Sequence, residues 1–307
     1  MEIRDRGPAY GGGLAYGAPI RIELSKGGVL PSADRDRFQQ SVTTFYTRYG
    51  RPFPWRDTTD PYHILVSEIM LQQTQTSRVM EKFPQFIGIF PSFRDLARSP
   101  FDKVVREWQG LGYNRRAKAL HDISRIVTAD FDGELPNDIG ILESFPMIGT
   151  ATARSIAAFA FNEPVVFIET NIRSVFIYTF FENRPSVADR EILPLVEETL
   201  YKENPRMWYN ALMDYGVHIK KMFPEISLQS AAYTKQAPFK RSNRQLRGLI
   251  LKTLTDTDTT PITLEQLSSA EYLNGTAFSP EQIKKTAGQL EKEGFVTISS
   301  EGYTLKR

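Results

Sequence analysis

The chain has 307 residues, and its 38 Lys and Arg against 36 Asp and Glu give a net charge of +2. Apolar residues make up 41% and charged residues 24%, an ordinary globular balance that excludes collagen-like and wholly disordered chains. There is no cysteine, and the three histidines His63, His121 and His218 are scattered, so disulfides, thiolate nucleophiles and Cys-held zinc or iron–sulfur centres are excluded. Chemistry therefore falls to carboxylates, hydroxyls, lysines, amides and backbone dipoles. The longest apolar runs fall far short of the ~18 residues that span a bilayer, and the N-terminus has no basic-then-apolar signal pattern. The expectation is a soluble, cytoplasmic protein of two domains.

Residues 1–33 carry Gly7, Gly11, Gly12, Gly13 and Gly17 with little apolar periodicity, and read as a flexible leader with one short extended piece at Ile20–Leu24. From Ser32 the pattern turns helical, first in an amphipathic stretch that reaches Tyr49. Further helices are expected at about 61–70, 73–90, 100–108, 115–130, 137–144, 150–161, 169–182, 188–203 and 207–219. Apolar residues recur there at three and four, as in Ile139, Leu142 and Ile156, Phe159, Ala160. Breaks such as Gly110-Leu111-Gly112 and Asn162-Glu163-Pro164 separate them, so residues 34–220 read as an all-α domain.

Residues 221–241 read as a basic linker, in a stretch where Lys220, Lys221, Lys235, Lys240, Arg241 and Arg244 face the one acid Glu225. Residues 242–307 read as a small α+β domain. Ser242–Thr255 forms one helix, Leu264 begins a second, and Ser279-Pro280 caps a third that stops at Gly294. Alternating residues around Glu301-Gly302 form a hairpin. Three helices and a hairpin resemble a winged helix, whose third helix either enters a DNA groove or serves packing and protein contact.

Four clusters can carry chemistry. In Ser67-Glu68-Ile69-Met70-Leu71-Gln72-Gln73-Thr74-Gln75, Glu68 lies in an apolar helix, where desolvation raises a carboxyl pKa as a general acid requires. A capped or salt-bridged structural acid fits equally. The amides after it can bond and wedge against base edges, or end a solvated helix. Phe53-Pro54-Trp55-Arg56 stands just upstream.

In Gly110-Leu111-Gly112-Tyr113-Asn114-Arg115-Arg116-Ala117-Lys118, a tight turn precedes an aromatic ring and three cations. Such groups stack on unpaired bases and hold phosphates, or form a plain basic helix. In Phe145-Pro146-Met147-Ile148-Gly149-Thr150-Ala151, a hairpin between two helices offers the amides from Gly149 onward to a phosphate oxygen. In Phe167-Ile168-Glu169-Thr170-Asn171, a carboxylate beside an apolar run can stabilise an oxocarbenium ion, or serve as an N-terminal helix acid.

Order and spacing together add a resemblance. SEIMLQQTQ, GLGYNRRAKAL, FPMIGTATA, FIETNIRSV and YNALMDYG occur in the sequence of motifs of the helix-hairpin-helix DNA glycosylases, an endonuclease III-like superfamily. MutY-type adenine glycosylases and mismatch thymine glycosylases are the most similar branches. The resemblance covers residues 34–220 and implies a two-lobed all-α helix-hairpin-helix domain, followed here by the winged-helix-like one. It implies Glu68 as the catalytic acid, Glu169 as the group that stabilises the sugar cation, and Asn171 as a water holder. Gln72, Gln73 and Tyr113 contact or wedge the duplex, while Arg56, Arg115, Lys118, Gly149 and Ala151 complete the DNA-contacting set.

Departures from the family pattern carry meaning. Glu169 replaces an aspartate, Met147 replaces the first hairpin glycine, and Ala151 replaces the lysine of members that also cut the strand. Lys220-Lys221-Met222-Phe223-Pro224 follows where four cluster-binding cysteines usually stand, so no iron–sulfur cofactor is expected. The resemblance implies a monofunctional base-excision glycosylase without strong lyase activity. It acts as a monomer on nucleoid DNA carrying a mismatched or damaged base, with adenine favoured over thymine or uracil. The competing readings are a non-catalytic DNA-structure binder that kept the clamp, and a winged-helix regulator. The domain that reads oxidised guanine in adenine-specific enzymes has no counterpart here.

Overall fold

The computed structural model describes residues 18–25, 28–235, 238–257, 261–269, 273 and 275–306. The described helices in chain order are α1 (Ser32–Tyr49), α2 (Pro61–Leu71), α3 (Thr76–Ile89), α4 (Phe93–Arg98), α5 (Phe101–Glu107), α6 (Arg115–Asp130) and α7 (Ile139–Ser144). They continue with α8 (Thr150–Phe161), α9 (Thr170–Phe180), α10 (Asp189–Glu198), α11 (Pro205–Met222), α12 (Asn243–Asp256), α13 (Leu264–Leu267) and α14 (Pro280–Lys292). Two strands, β1 (Val296–Ser299) and β2 (Gly302–Leu305), close an antiparallel hairpin in which Thr297 faces Thr304. The fold is thus mostly helical, with one small two-stranded sheet at its C-terminal end. Among the described residues, no helix is long and apolar enough to cross a membrane.

Most expected helices form close to their predicted limits. The helix expected from residue 73 starts instead at Thr76, because Gln73 sits at a left-handed φ of 54° that no helix continues. The short α4 was not foreseen. Its Ser92 cap, which accepts from the Asp95 N–H, had been visible as Ser-x-x-Asp. Asn204 caps α11 and Pro205 opens it, so that helix begins before its first periodic apolar residue.

The chain divides into two compact units, and each is made of two distant segments. The first joins 1–51 to 164–233, and the second joins 52–163 to 234–307. In the first unit, Phe38 of α1 meets Phe176 and Phe180 of α9 and Trp208 of α11 edge-on, with centroids 5.2–5.8 Å apart. The Arg51 guanidinium grips the buried Asp214 of α11 at 2.6–2.7 Å, joining the two segments.

The stretch read as leader is not loose over its described residues. The Ile22 N–H donates to the Thr179 carbonyl at 2.9 Å, its side chain is buried, and the Arg21 guanidinium lies 4.2 Å from the Tyr178 ring. Beyond α11, a 3-10 turn over Pro224–Gln229 buries Ile226, and Phe223 packs 4.7 Å from Tyr178. Apolar contact thus secures the chain just after α11. Gln229 and Ala231 then exchange backbone hydrogen bonds with Val187, within the stretch read as linker.

In the second unit one apolar core runs from Trp55 through α2, α3, α5, α6 and α8 into Leu246, Ile250, Ile283 and Phe295 of the C-terminal segment. Phe295 lies 5.5 Å from Phe101, and the Arg106 guanidinium donates to the Thr255 carbonyl. Glu293, at the end of α14, takes paired hydrogen bonds from both Arg115 of α6 and Arg247 of α12. Ile262 bridges Tyr303 of the hairpin in both directions, at 2.9 and 3.0 Å.

Candidate active site

Glu68 lies on α2, whose neighbouring Leu65, Val66, Ile69 and Met70 are all buried. Its own side chain is half buried, and Ser155 of α8 donates to its Oε2 at 2.5 Å. A carboxyl group that accepts from a hydroxyl on an apolar helix is equipped to move a proton.

One turn on, the chain leaves α2 at Gln72 and Gln73. The Gln72 amide reaches Thr152 Oγ1 at 3.5 Å, and exposed Gln73 holds its left-handed φ. A non-glycine residue there costs about 1–2 kcal/mol, and such strain concentrates at functional turns. Tyr113 is a second such residue, at φ 47°, and Met147 in the hairpin a third, at φ 61°. Each of the three turns singled out for DNA contact in this unit thus contains one.

Arg116 ties two of these turns together. Its guanidinium donates to the carbonyls of Ile69, Met70 and Gln72 at 2.6–2.9 Å and to those of Leu111 and Gly112 at 2.9–3.0 Å. It also reaches Thr74 Oγ1 at 2.9 Å. The side chain is buried, and burial pushes its pKa down to about 10 against the opposing pull of Tyr113. The sequence pattern groups Arg116 with its neighbours as a phosphate cation, whereas the structure gives it this internal work. Its spacing to Leu120, Ile123 and Val127 placed it on the apolar face of α6, the signal that separated it from exposed Arg115.

The other cations are differently placed. Arg115 pairs with Glu293, and Lys118 pairs with Asp122 at 2.6 Å. Arg56 ends a 3-10 turn with its guanidinium 4.8 Å from the Phe53 ring. The Tyr113 hydroxyl accepts from Arg244 of α12 at 2.5 Å.

The hairpin between α7 and α8 buries Phe145 and Ile148 and exposes Met147. Gly149 caps α8 with no side-chain bond and an open surround, and Ala151 is exposed in the first turn. This end presents backbone amides and helix dipole outward.

Glu169 belongs to the first unit, where it is the N-cap of α9. Its Oε1 accepts from the Asn171 and Ile172 N–H groups at 2.8 and 3.0 Å, and its Oε2 from the Asn171 amide at 3.2 Å. The carboxylate and Asn171 are thereby locked to one another. Arg173, one turn on, is held by Asp189, and that hydrogen bond keeps the guanidinium pKa raised. Half-buried Lys220 of α11 shares the neighbourhood. Burial pushes its pKa down, Glu169 opposes this, and Arg51 reinforces it. Gly216, one turn before Lys220, lets α11 touch the backbone of Asn171. Ser155, Gly216 and Glu293 carried no sequence signal of these roles, because each acts through a partner distant in the chain. Among the described residues, no cluster of His, Asp and Glu suits a metal ion.

A hairpin between two helices, set beside strained turns and a half-buried acid, defines a helix-hairpin-helix protein. Residues 66–197 match the model of the HhH-GPD superfamily of base excision DNA repair proteins. The adenine DNA glycosylase of Mycolicibacterium smegmatis is 30% identical over 278 residues, 85% of this chain and 93% of that protein. That of Mycobacterium tuberculosis is 39% identical over 136 residues, 44% of this chain and under half, 45%, of the relative's length. A solved thermostable thymine-DNA glycosylase matches with a TM-score of 0.54 at 27% identity, over 59% of this chain and 85% of that one. The chain belongs to the HhH-GPD superfamily of base excision DNA repair proteins.

Proposed function

We propose that this protein is a monofunctional DNA glycosylase that extrudes a mismatched or damaged base from duplex DNA and hydrolyses its N-glycosidic bond. The observation that carries this reading is the arrangement along α2. A half-buried acid held by Ser155 stands one turn before a strained glutamine turn, which Arg116 ties to the turn of Tyr113.

In this reading Glu68 gives its proton to the departing base, and the bond between base and C1′ breaks as the sugar becomes an oxocarbenium ion. Glu169 stabilises that cation, and Asn171, fixed to its carboxylate, orients the water that adds to C1′. Gln72, Gln73 and Tyr113 enter the duplex. The α8 amides near Gly149 and Ala151 take a phosphate, with Arg56, Arg115 and Lys118 as cationic support. Ala151 has no amine, so no Schiff base forms there and strand cutting is weak.

The C-terminal segment is read as a winged helix, a reading supported by the pairing of Ile262 with Tyr303 beside the hairpin. The protein acts as a monomer on nucleoid DNA. Adenine is favoured over thymine or uracil, supported by the names of the mycobacterial relatives.

The test is single-turnover cleavage of labelled duplexes carrying adenine, thymine, uracil, hypoxanthine and oxidised-base mispairs, followed by hot alkali. Alkali-dependent breaks at one lesion, absent in Glu68→Gln and Glu169→Gln, are expected. Strands left intact across the panel by a protein that still binds the duplexes would favour the non-catalytic binder.

A further inference from the structure

Phe239 is 60% exposed, the most exposed aromatic ring among the described residues. Ser242 holds it in a defined turn, donating to the Phe239 carbonyl through its hydroxyl at 2.6 Å and through its N–H at 3.1 Å. The Arg244 guanidinium lies 5.9 Å from the Phe239 ring and 5.6 Å from the Tyr113 ring, and it bonds the Tyr113 hydroxyl. The Arg244 guanidinium therefore links the hydroxyl end of Tyr113 to the Phe239 ring.

The setting is strongly basic. Between Glu225 and Asp256 the sequence has no acid, while Lys235, Lys240, Arg241, Arg244, Arg247 and Lys252 fall there. Glu293 takes up Arg247 and Arg115, which fixes α12 against the start of α6 and leaves Arg244 facing Tyr113. An exposed ring beside a guanidinium, amid cations that suit phosphate, is the surface chemistry that receives a single unpaired base. An acidic peptide would use the cations but has no need of the exposed ring.

We propose that Phe239, Arg244 and Tyr113 form a stacking site for the base left unpaired opposite the extruded nucleotide. The inference rests on the reading above in which the Tyr113 turn enters the duplex. It adds the C-terminal segment as the part that holds the second strand.

The experiment uses the full chain and a duplex with 2-aminopurine opposite a tetrahydrofuran abasic analogue. Wild type is expected to prefer this duplex over a matched one and to quench the 2-aminopurine on binding. Phe239→Ala and Arg244→Gln should each lose at least half of the quench. They should bind the abasic duplex on the order of tenfold more weakly, the size of one lost base–aromatic stack. Matched-duplex affinity should change less than twofold, and Phe239→Trp should restore the quench.

Unchanged quench and affinity in both variants, with the wild-type preference intact, overturns this site alone. Equal weakening on matched and abasic duplexes also overturns it, since the residues then serve general backbone contact. A wild-type protein with no preference for the abasic duplex overturns the site and the glycosylase reading together.

Discussion

A methyl group on Gly216 of α11 would lie 2.3 Å from the carbonyl oxygen of Asn171 in α9. The two backbones meet directly at the first turn of α9, where Glu169 is the cap. Gly216→Ala must push the helices apart, at about 1–3 kcal/mol for overpacking. A displacement on the order of 1 Å at a reacting group costs ~100-fold in rate. The expected outcome is a lowered melting temperature together with base release slowed by about that factor, read by thermal melts and single-turnover assays.

Glu169 caps α9, and on the glycosylase reading its charge has a second, separable duty. Glu169→Ala loses both, with about 1 kcal/mol of stability gone with the cap. Glu169→Gln keeps a carbonyl oxygen for the Asn171 and Ile172 N–H groups and should unfold in urea close to wild type. Both should slow base release at least ~100-fold, because neither offers a negative charge to the sugar cation.

Glu68→Gln still accepts from Ser155 but has no acidic proton to give. Base release should fall ~100- to 10,000-fold, the usual range for a lost general acid. Affinity for an abasic duplex should stay within twofold, measured by fluorescence anisotropy. A rate within tenfold of wild type would remove Glu68 from the chemistry.

Arg116→Met deletes the guanidinium bonds that join the Gln72 and Gly112 turns, leaving the long Thr74 hydroxyl bond to the Leu111 carbonyl, and strands buried carbonyls. Bonds to charged groups are worth about 1.5–3 kcal/mol each, so a loss on the order of 3 kcal/mol or more is expected in denaturant melts. Arg116→Lys keeps the charge but cannot fork to both turns, and should recover only part of the loss.

Glu293 gives the second unit a pH dependence. Burial raises its pKa, but the hydrogen bonds from Arg115 and Arg247, reinforced by their charges, outweigh this and hold it at about 2. A carboxylate with a depressed folded-state pKa contributes stability above its unfolded value of about 4.3, and loses it as pH falls toward the folded one. Melting temperature should therefore drop between about pH 4.5 and 2, and Glu293→Gln should flatten that slope while lowering stability at pH 7.

Periodicity alone placed most helices, because their apolar stripes are packed against partners that demand the same spacing. The hairpin was legible for the same reason, with Phe145 and Ile148 as its buried anchors. The start of α3 was not, since the strain at Gln73 is imposed by tertiary contacts such as the Arg116 bond to Gln72. Glu169 was visible both as a helix acid and as a chemical group, and its geometry satisfies the first description while leaving its charge available for the second. The acid–arginine cluster at Glu293 joins residues 178 and 46 positions apart, a coupling that local pattern does not carry.

Each compact unit is closed by a segment made late in the chain. The Arg51 guanidinium waits for Asp214, 163 residues downstream, and the apolar face of α1 at Phe38 waits for Phe176 and Trp208. On the ribosome the first unit cannot close until its second segment, ending at residue 233, has been made, and the second unit waits for the segment that follows, so α1 has no completed unit to shelter it early in synthesis. Newly made chains hold the aromatic face of α1 open until α9 and α11 have emerged, the interval in which a chaperone would be needed.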